Sequence, residues 1–297
     1  MQQRFKRALR RALDRIFLPY FSHINTSGGI SRVDQGVQVL LALKYRELHR
    51  DGRPLPGFDQ VGFRSYSQNE EDGIILFIFS LIGTTNKKAV EIGVGDGTEC
   101  NTANLIINHG WTALLFDGDR ANVLRGQEFY ARCPDTWVFP PTFVHAWIEM
   151  ENVNQLIRDN RFQGEIDLLS IDIDGNDYWV WKAIDCIQPR VVVVECHNIW
   201  GPERAVTIPY RRDFNKFNLH PDYSGASLAA FVKLGREKGY RLVGCNRYGF
   251  NAFFIREGVG EQVFPEVPAA QCLNHPQALL GRQTRLLEVK DYEWVEV

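Results

Sequence analysis

The stretch Val90-Glu91-Ile92-Gly93-Val94-Gly95-Asp96-Gly97 constrains the chain more than any other. An apolar run stops at Gly93, glycines follow at alternate positions, and helix-compatible sequence resumes at Glu99. Glycines at such a junction let the backbone turn tightly and approach a ligand with no Cβ in the way. A dinucleotide fingerprint needs glycine, one residue, glycine, two residues, glycine. Here the third glycine comes one residue early, and an acidic residue stands two before the first. The spacing argues against a nicotinamide dinucleotide site and for a strand–turn–helix site of another kind.

Around this loop, apolar strand-length runs alternate with helix-length amphipathic ones, the rhythm of a parallel α/β sheet. The pattern predicts strands over 88–92, 112–116, 143–148, 166–173 and 191–195. Helices are predicted over 99–108, 121–130, 152–159 and 178–184. Four consecutive valines at 191–194 suit a strand covered on both faces. A long loop over 197–223 precedes a helix over 227–238, and strands over 241–245 and 251–255 make a hairpin-like finish. Upstream, 67–81 reads as a helix with Glu70, Glu71 and Asp72 in its first turn.

Polar residues gather where these strands end, the edge that faces the ligand crevice in an open parallel sheet. Asp117 and Asp119 close the second strand about twenty residues after the glycines, where a carboxylate accepts hydrogen bonds from ribose hydroxyls. Either aspartate fits. The fourth strand ends in Asp172-Ile173-Asp174-Gly175-Asn176-Asp177, three carboxylates that are costly to hold together unless a positive group sits among them. An EF-hand loop is excluded, because the twelfth position from Asp172 is Ala183 and not glutamate. The fifth strand ends in Glu195-Cys196-His197, with Glu195 and His197 on the same side of an extended chain. His197, Asp172 and Asp174 are candidate catalytic residues, with His197 suited to taking a proton near neutral pH. Asp172, Asp174 and Glu195 are the alternative, as ligands of a magnesium ion that lowers the pKa of a bound hydroxyl.

The glycine loop resembles the motif of S-adenosylmethionine-dependent methyltransferases. With Ser65-Tyr66-Ser67-Gln68, Asp117 to Asp119 and Leu169-Ser170-Ile171-Asp172-Ile173-Asp174-Gly175, the stretch over 65–256 resembles the FkbM-type methyltransferases. The chain departs from many of those relatives in carrying Asp174 where they have glutamate. The resemblance implies a Rossmann-like seven-stranded methyltransferase sheet with helices on both faces. It implies that Glu91, Gly93, Gly95, Asp96, Gly97, Asp117, Asp119 and Asp172 line the cofactor site, with Glu91 facing the methionine ammonium. It also implies transfer to a hydroxyl of a small molecule such as a sugar. No Asn-Pro-Pro-aromatic or Pro-Cys sequence follows the fourth strand, which disfavours base amino-group and cytosine chemistry.

Composition bounds the remainder. A formal net charge of −2 gives no footprint for general nucleic-acid binding. Six scattered cysteines, none in a Cys-x-x-Cys pair, predict a reduced, cytoplasmic protein without a structural zinc. Residues 1–20 interleave six basic residues with apolar ones at helical spacing. Such a helix either contacts an anionic membrane surface or packs with its arginines solvated. The expected organisation is an N-terminal extension over 1–60, a methyltransferase-like domain over 61–256, and an aperiodic tail over 257–297 wrapping the core. A non-catalytic module of the same fold, or an enzyme using another nucleotide cofactor, is the alternative reading.

Overall fold

Val191, Val192, Val193 and Val194 are all fully buried, as a strand covered on both faces must be. The structure, a computed structural model, describes residues 30–297. The basic helix expected over 1–20 lies outside the described residues. Tyr45–Val297 forms one compact unit.

Among the described residues, the elements in chain order begin with α1 (Ile30–Arg50), α2 (Phe58–Val61), α3 (Glu71–Ile82), β1 (Lys88–Ile92), α4 (Ala103–His109), β2 (Thr112–Asp117), α5 (Arg120–Arg132) and β3 (Thr142–His145). Next come α6 (Val153–Asp159), β4 (Gly164–Ile171), α7 (Asp177–Ala183), β5 (Ile187–Glu195), β6 (Val206–Thr207), α8 (Leu228–Glu237), β7 (Tyr240–Cys245) and β8 (Asn251–Arg256). The chain closes with α9 (Ala269–Cys272), α10 (Pro276–Gln283), α11 (Arg285–Val289) and β9 (Val295–Glu296).

Seven strands form one sheet in the order β3-β2-β1-β4-β5-β8-β7. Strands β1 to β5 pair in parallel, and β8 runs antiparallel to both β5 and β7. The chain steps outward from β1 through β2 to β3, then returns to β4 on the other side of β1. That reversal opens a crevice at the carboxyl ends of β1 and β4. The fold is Rossmann-like, a doubly wound seven-stranded sheet with an antiparallel pair at one edge.

Helix α3 is buried almost all round, which explains an apolar run with no polar face. Its entry is fixed by Asp72, which accepts the backbone N–H groups of Ser65, Tyr66 and Ser67 at 2.7, 2.6 and 2.9 Å. Its exit is fixed by Arg190, which donates to the carbonyls of Gly83 and Ile82. Arg190 also pairs with the fully buried Asp167 at 2.9 Å. Asp167 in turn accepts the N–H groups of Thr85, Asn86 and Lys87, so the amino end of the sheet is tied at one carboxylate.

Three elements differ from the sequence expectation. Helix α4 begins at Ala103, several residues late, because Asn101 and Thr102 donate their N–H groups to Glu91. Strand β3 ends at His145, because Trp147 leaves the ladder to donate its indole N–H to the Arg212 carbonyl. The tail contains α9, α10 and α11, and β9 pairs with β6 in a second, two-stranded sheet. Among the described residues, no helix is long and apolar enough to cross a membrane.

Candidate active site

The site is built on the turn that follows β1. Gly93 has φ +89°, and a Cβ there would stand 1.7 Å from the Asp172 carbonyl oxygen. Strand β4 therefore approaches so closely that only glycine fits. Gly95 has φ +58°, and its Cβ position meets nothing within 4 Å. That space is part of the cleft. Gly97 lies under the loop instead, its Cβ position 2.7 Å from the Phe143 ring and its carbonyl accepting the Tyr130 hydroxyl at 2.6 Å. Asp96 accepts from Thr98, stands 3.8 Å from Arg125 and lines a polar chamber beside the turn.

Glu91 serves the scaffold. It is 2% exposed and accepts the N–H groups of Asn101 and Thr102 at 2.9 and 2.8 Å, and the Ser170 hydroxyl at 3.1 Å. The Thr102 hydroxyl is a fourth donor. A carboxylate satisfied this way anchors the start of α4, and Glu91 also borders the polar chamber beside the turn.

The two aspartates at the tip of β2 divide their work. Asp117 Oδ2 accepts the Gly95 N–H at 2.7 Å, while Oδ1 accepts from Asp119 N–H at 2.8 Å and Asn122 Nδ2 at 3.0 Å. Asp119 is the N-cap of α5 and accepts the Ala121 N–H at 2.7 Å. Both line a cleft of about 650 Å³ that also touches Gly93, Gly95, Trp147 and Lys216. A smaller chamber of about 440 Å³ shares Gly93, Gly95, Asp172 and Asp174, and extends to Gln68 and Asn251. The Oδ1 atoms of Asn176, which lines the cleft, and of Asn251, which lines the chamber, are buried and lack hydrogen-bond partners within the protein. Buried acceptors are normally satisfied, so these two mark places where a ligand can donate.

Between cleft and chamber stands a carboxyl cluster. Oxygens of Asp172, Asp174 and Glu195 all lie within 4.8 Å of one another. Burial and the neighbouring Asp177 push Asp172 up to about 7, and burial with the Asp172 charge pushes Glu195 well above the carboxylate range. Asp172 and Glu195 stand close enough for each to act on the other's ionisation. The turn is closed from below by Asp177, which accepts the N–H groups of Ile173 and Gly175 at 2.7 and 2.8 Å. This closure leaves Asp174 in the left-handed region at φ +57°. Lys216 donates to Asp174 Oδ1.

His197 sits apart from both cavities. Its Nε2 is 2.6 Å from the Asp222 carbonyl oxygen, which fixes Nε2 as the protonated nitrogen. Burial pushes its pKa down to about 4. A neutral imidazole donating to a carbonyl ties down the loop, and the expected base role gives way to this one. In the loop after β6, Tyr210 and Arg212 engage Glu151, and Arg211 engages Glu293, in exposed pairs. Sequence reasoning passed over Trp147, Lys216 and Asn176. Asn176 stands within the acidic motif and could have been singled out; Trp147 and Lys216 follow no periodic pattern.

No family model matches the sequence, and none of the curated proteins does. Solved structures do overlap with it. Magnesium protoporphyrin IX methyltransferase from Synechocystis PCC 6803, with bound S-adenosylmethionine, is 11% identical and has a TM-score of 0.39, covering 63% of this chain and 78% of its own. An S-adenosylmethionine-dependent methyltransferase from Clostridium acetobutylicum is 9% identical, TM-score 0.39, covering 62% and 89%. An O-methyltransferase of a Brevibacillus brevis multienzyme, in complex with S-adenosyl-L-homocysteine, is 11% identical, TM-score 0.34, covering 52% and 46%. The site is read from its own residues.

Proposed function

We propose that this chain is an S-adenosylmethionine-dependent methyltransferase that methylates a hydroxyl oxygen of a small molecule, with a sugar as the favoured acceptor. The observation that carries the reading is the cleft itself. A glycine turn stripped of side chains, the aspartates at the tip of β2 and a buried orphan acceptor at Asn176 meet at the topological switch point of the sheet. The cofactor fits this donor and acceptor set. Gly93 and Gly95 would leave room for it, Asp117 or Asp119 would accept from the ribose hydroxyls, and Trp147 would wall the far side.

When bound, S-adenosylmethionine supplies an electrophilic methyl group on a sulfonium and departs as S-adenosylhomocysteine. The protein's part is alignment and proton removal. The acceptor hydroxyl would lie in the polar chamber beside Asp172. As its oxygen bonds to the methyl carbon and the carbon–sulfur bond breaks, its proton would pass to the Asp172–Glu195 pair. Carboxyl groups tuned upward toward neutrality suit that task. The FkbM-type resemblance of the motifs supports oxygen as the acceptor atom and a carbohydrate as its carrier.

Calorimetric titration with S-adenosylhomocysteine tests the cofactor. Micromolar binding that weakens in Asp117→Ala supports the proposal, and absence of binding to the intact protein sinks it. A second reading, a surface-binding module attached to a cytoplasmic membrane face, draws on the exposed run Trp137-Val138-Phe139, whose members are 64, 55 and 86% exposed. Sedimentation with anionic vesicles, comparing wild type with a Trp137→Ala, Phe139→Ala double variant, tests it. Vesicle binding lost in the variant favours that reading, and no binding by wild type removes it.

A further inference from the structure

The carboxyl cluster of Asp172, Asp174 and Glu195 has the composition of a magnesium site, and the sequence alone suggests one. The structure fills that position differently. Lys216 comes from the long loop after β5, and its ammonium donates to Asp174 Oδ1 with only 19% of its side chain exposed. Asp172 and Glu195 are close enough to act on the same charge. A divalent ion ligated by all three carboxylates would have to stand against this ammonium, at a separation where two like charges in a half-buried site repel strongly.

The loop is held so that Lys216 stays there. Phe214 packs against the Cα of Gly175, where a Cβ would come within 2.4 Å of its ring. Downstream, Asp222 pairs with Arg285 of α11, His220 is 3.2 Å from Glu288 of the same helix, and the Tyr223 hydroxyl donates to the Glu293 carbonyl. Upstream, Arg211 pairs with Glu293 and Asn176 Nδ2 donates to the Arg211 carbonyl. The C-terminal segment thus clamps the loop on both sides of the lysine.

We infer that Lys216 is a tethered cation that takes the place of a divalent metal in the carboxyl cluster and positions Asp174 beside the cleft. Asp172 and Glu195 stand beside the Asp174–Lys216 pair, so the cluster offers acidic groups to a bound cationic group, such as a sulfonium, without a metal. The arrangement goes beyond the methyltransferase proposal, because it concerns only which cation the cluster holds.

The test uses the full chain and manganese(II) as probe, with free ion read by electron paramagnetic resonance. Wild type and Lys216→Arg are expected to leave manganese free at ion concentrations up to about a millimolar. Lys216→Met is expected to bind it at least tenfold more tightly than wild type, and a second change, Asp172→Asn, is expected to abolish that binding. Thermal melting of each variant establishes that it is folded. Tight manganese binding by wild type that disappears in Asp172→Asn would overturn the inference, as would a folded Lys216→Met that binds none. No outcome depends on S-adenosylhomocysteine, so failure here and failure of the cofactor proposal are read in separate experiments.

Discussion

Asp117 Oδ2 accepts the Gly95 N–H at 2.7 Å, so the tip of β2 and the turn after β1 are held as one surface. Asp119, two residues on, is committed to capping α5. The two aspartates therefore separate by experiment. Asp119→Ala should cost about 1 kcal/mol of stability, the usual worth of an N-cap, and leave S-adenosylhomocysteine affinity within a few-fold. Asp117→Ala should weaken that affinity at least tenfold, because the glycine turn loses its tie and the ligand loses an acceptor. Calorimetry and thermal melts on both variants decide, and the reverse ranking would move the ribose role to Asp119.

The glycines of the turn make a second pair. Gly93→Ala places a Cβ 1.7 Å from a backbone carbonyl in the middle of the fold. It should destabilise the protein severely, by roughly 3 kcal/mol or more. Gly95→Ala meets no atoms but must hold φ +58°, which costs about 1–2 kcal/mol. That variant should fold and yet lose ligand affinity, since its methyl points into the cleft. Undiminished binding by a folded Gly95→Ala would remove the ligand from that side of the loop.

His197 gives a pH signature. Burial pushes its pKa down to about 4, whereas an unfolded chain's histidine titrates near 6.5. Below about pH 6.5 the unfolded state takes up a proton that the folded state refuses until about pH 4. Stability from this residue is therefore complete above 6.5 and is lost as pH falls across the window, by up to about 3 kcal/mol. His197→Gln keeps a donor for the Asp222 carbonyl and removes the titration. The stability gap between wild type and variant should narrow between pH 7 and pH 4.5 in urea melts. A constant gap would show that the imidazole is not held neutral.

At the opposite end of the sheet, Asp167→Ala strands the Arg190 guanidinium, whose side chain is 10% exposed, and frees three backbone N–H groups. Removing one partner of such a pair costs about 3–5 kcal/mol. Chemical denaturation should report a loss of this order with no change in ligand stoichiometry. A loss under 1 kcal/mol would mean that water replaces the carboxylate easily.

Much of the sheet was legible because strands buried on both faces have to be apolar throughout, and the run at 191–194 cannot be disguised. The glycine turn was legible for a related reason, since steric exclusion at Gly93 tolerates no other residue. His197 was read as a base because sequence gives a residue's place on a strand and not what its side chain meets: it faces the carbonyl of Asp222, 25 residues away. The bonds of Glu91 to the start of α4 were hidden for the same reason. Lys216 was invisible for the opposite reason. Its loop has no period, and only the clamp built by α11 and the segment after it brings the ammonium to Asp174. The tail looked aperiodic because α9, α10 and α11 are 4, 8 and 5 residues long, too short for a periodicity to register.

Strand β8 lies between β5 and β7 and is the antiparallel member of the sheet. A ribosome delivers β5 and then β7 before the strand that must join them. Until residues 251–256 emerge, the outer backbone edge of the four valines has no partner, an arrangement that invites pairing with another chain. Truncation anywhere ahead of Asn251 should therefore yield a sticky fragment, insoluble or bound to chaperones, and not a smaller folded domain.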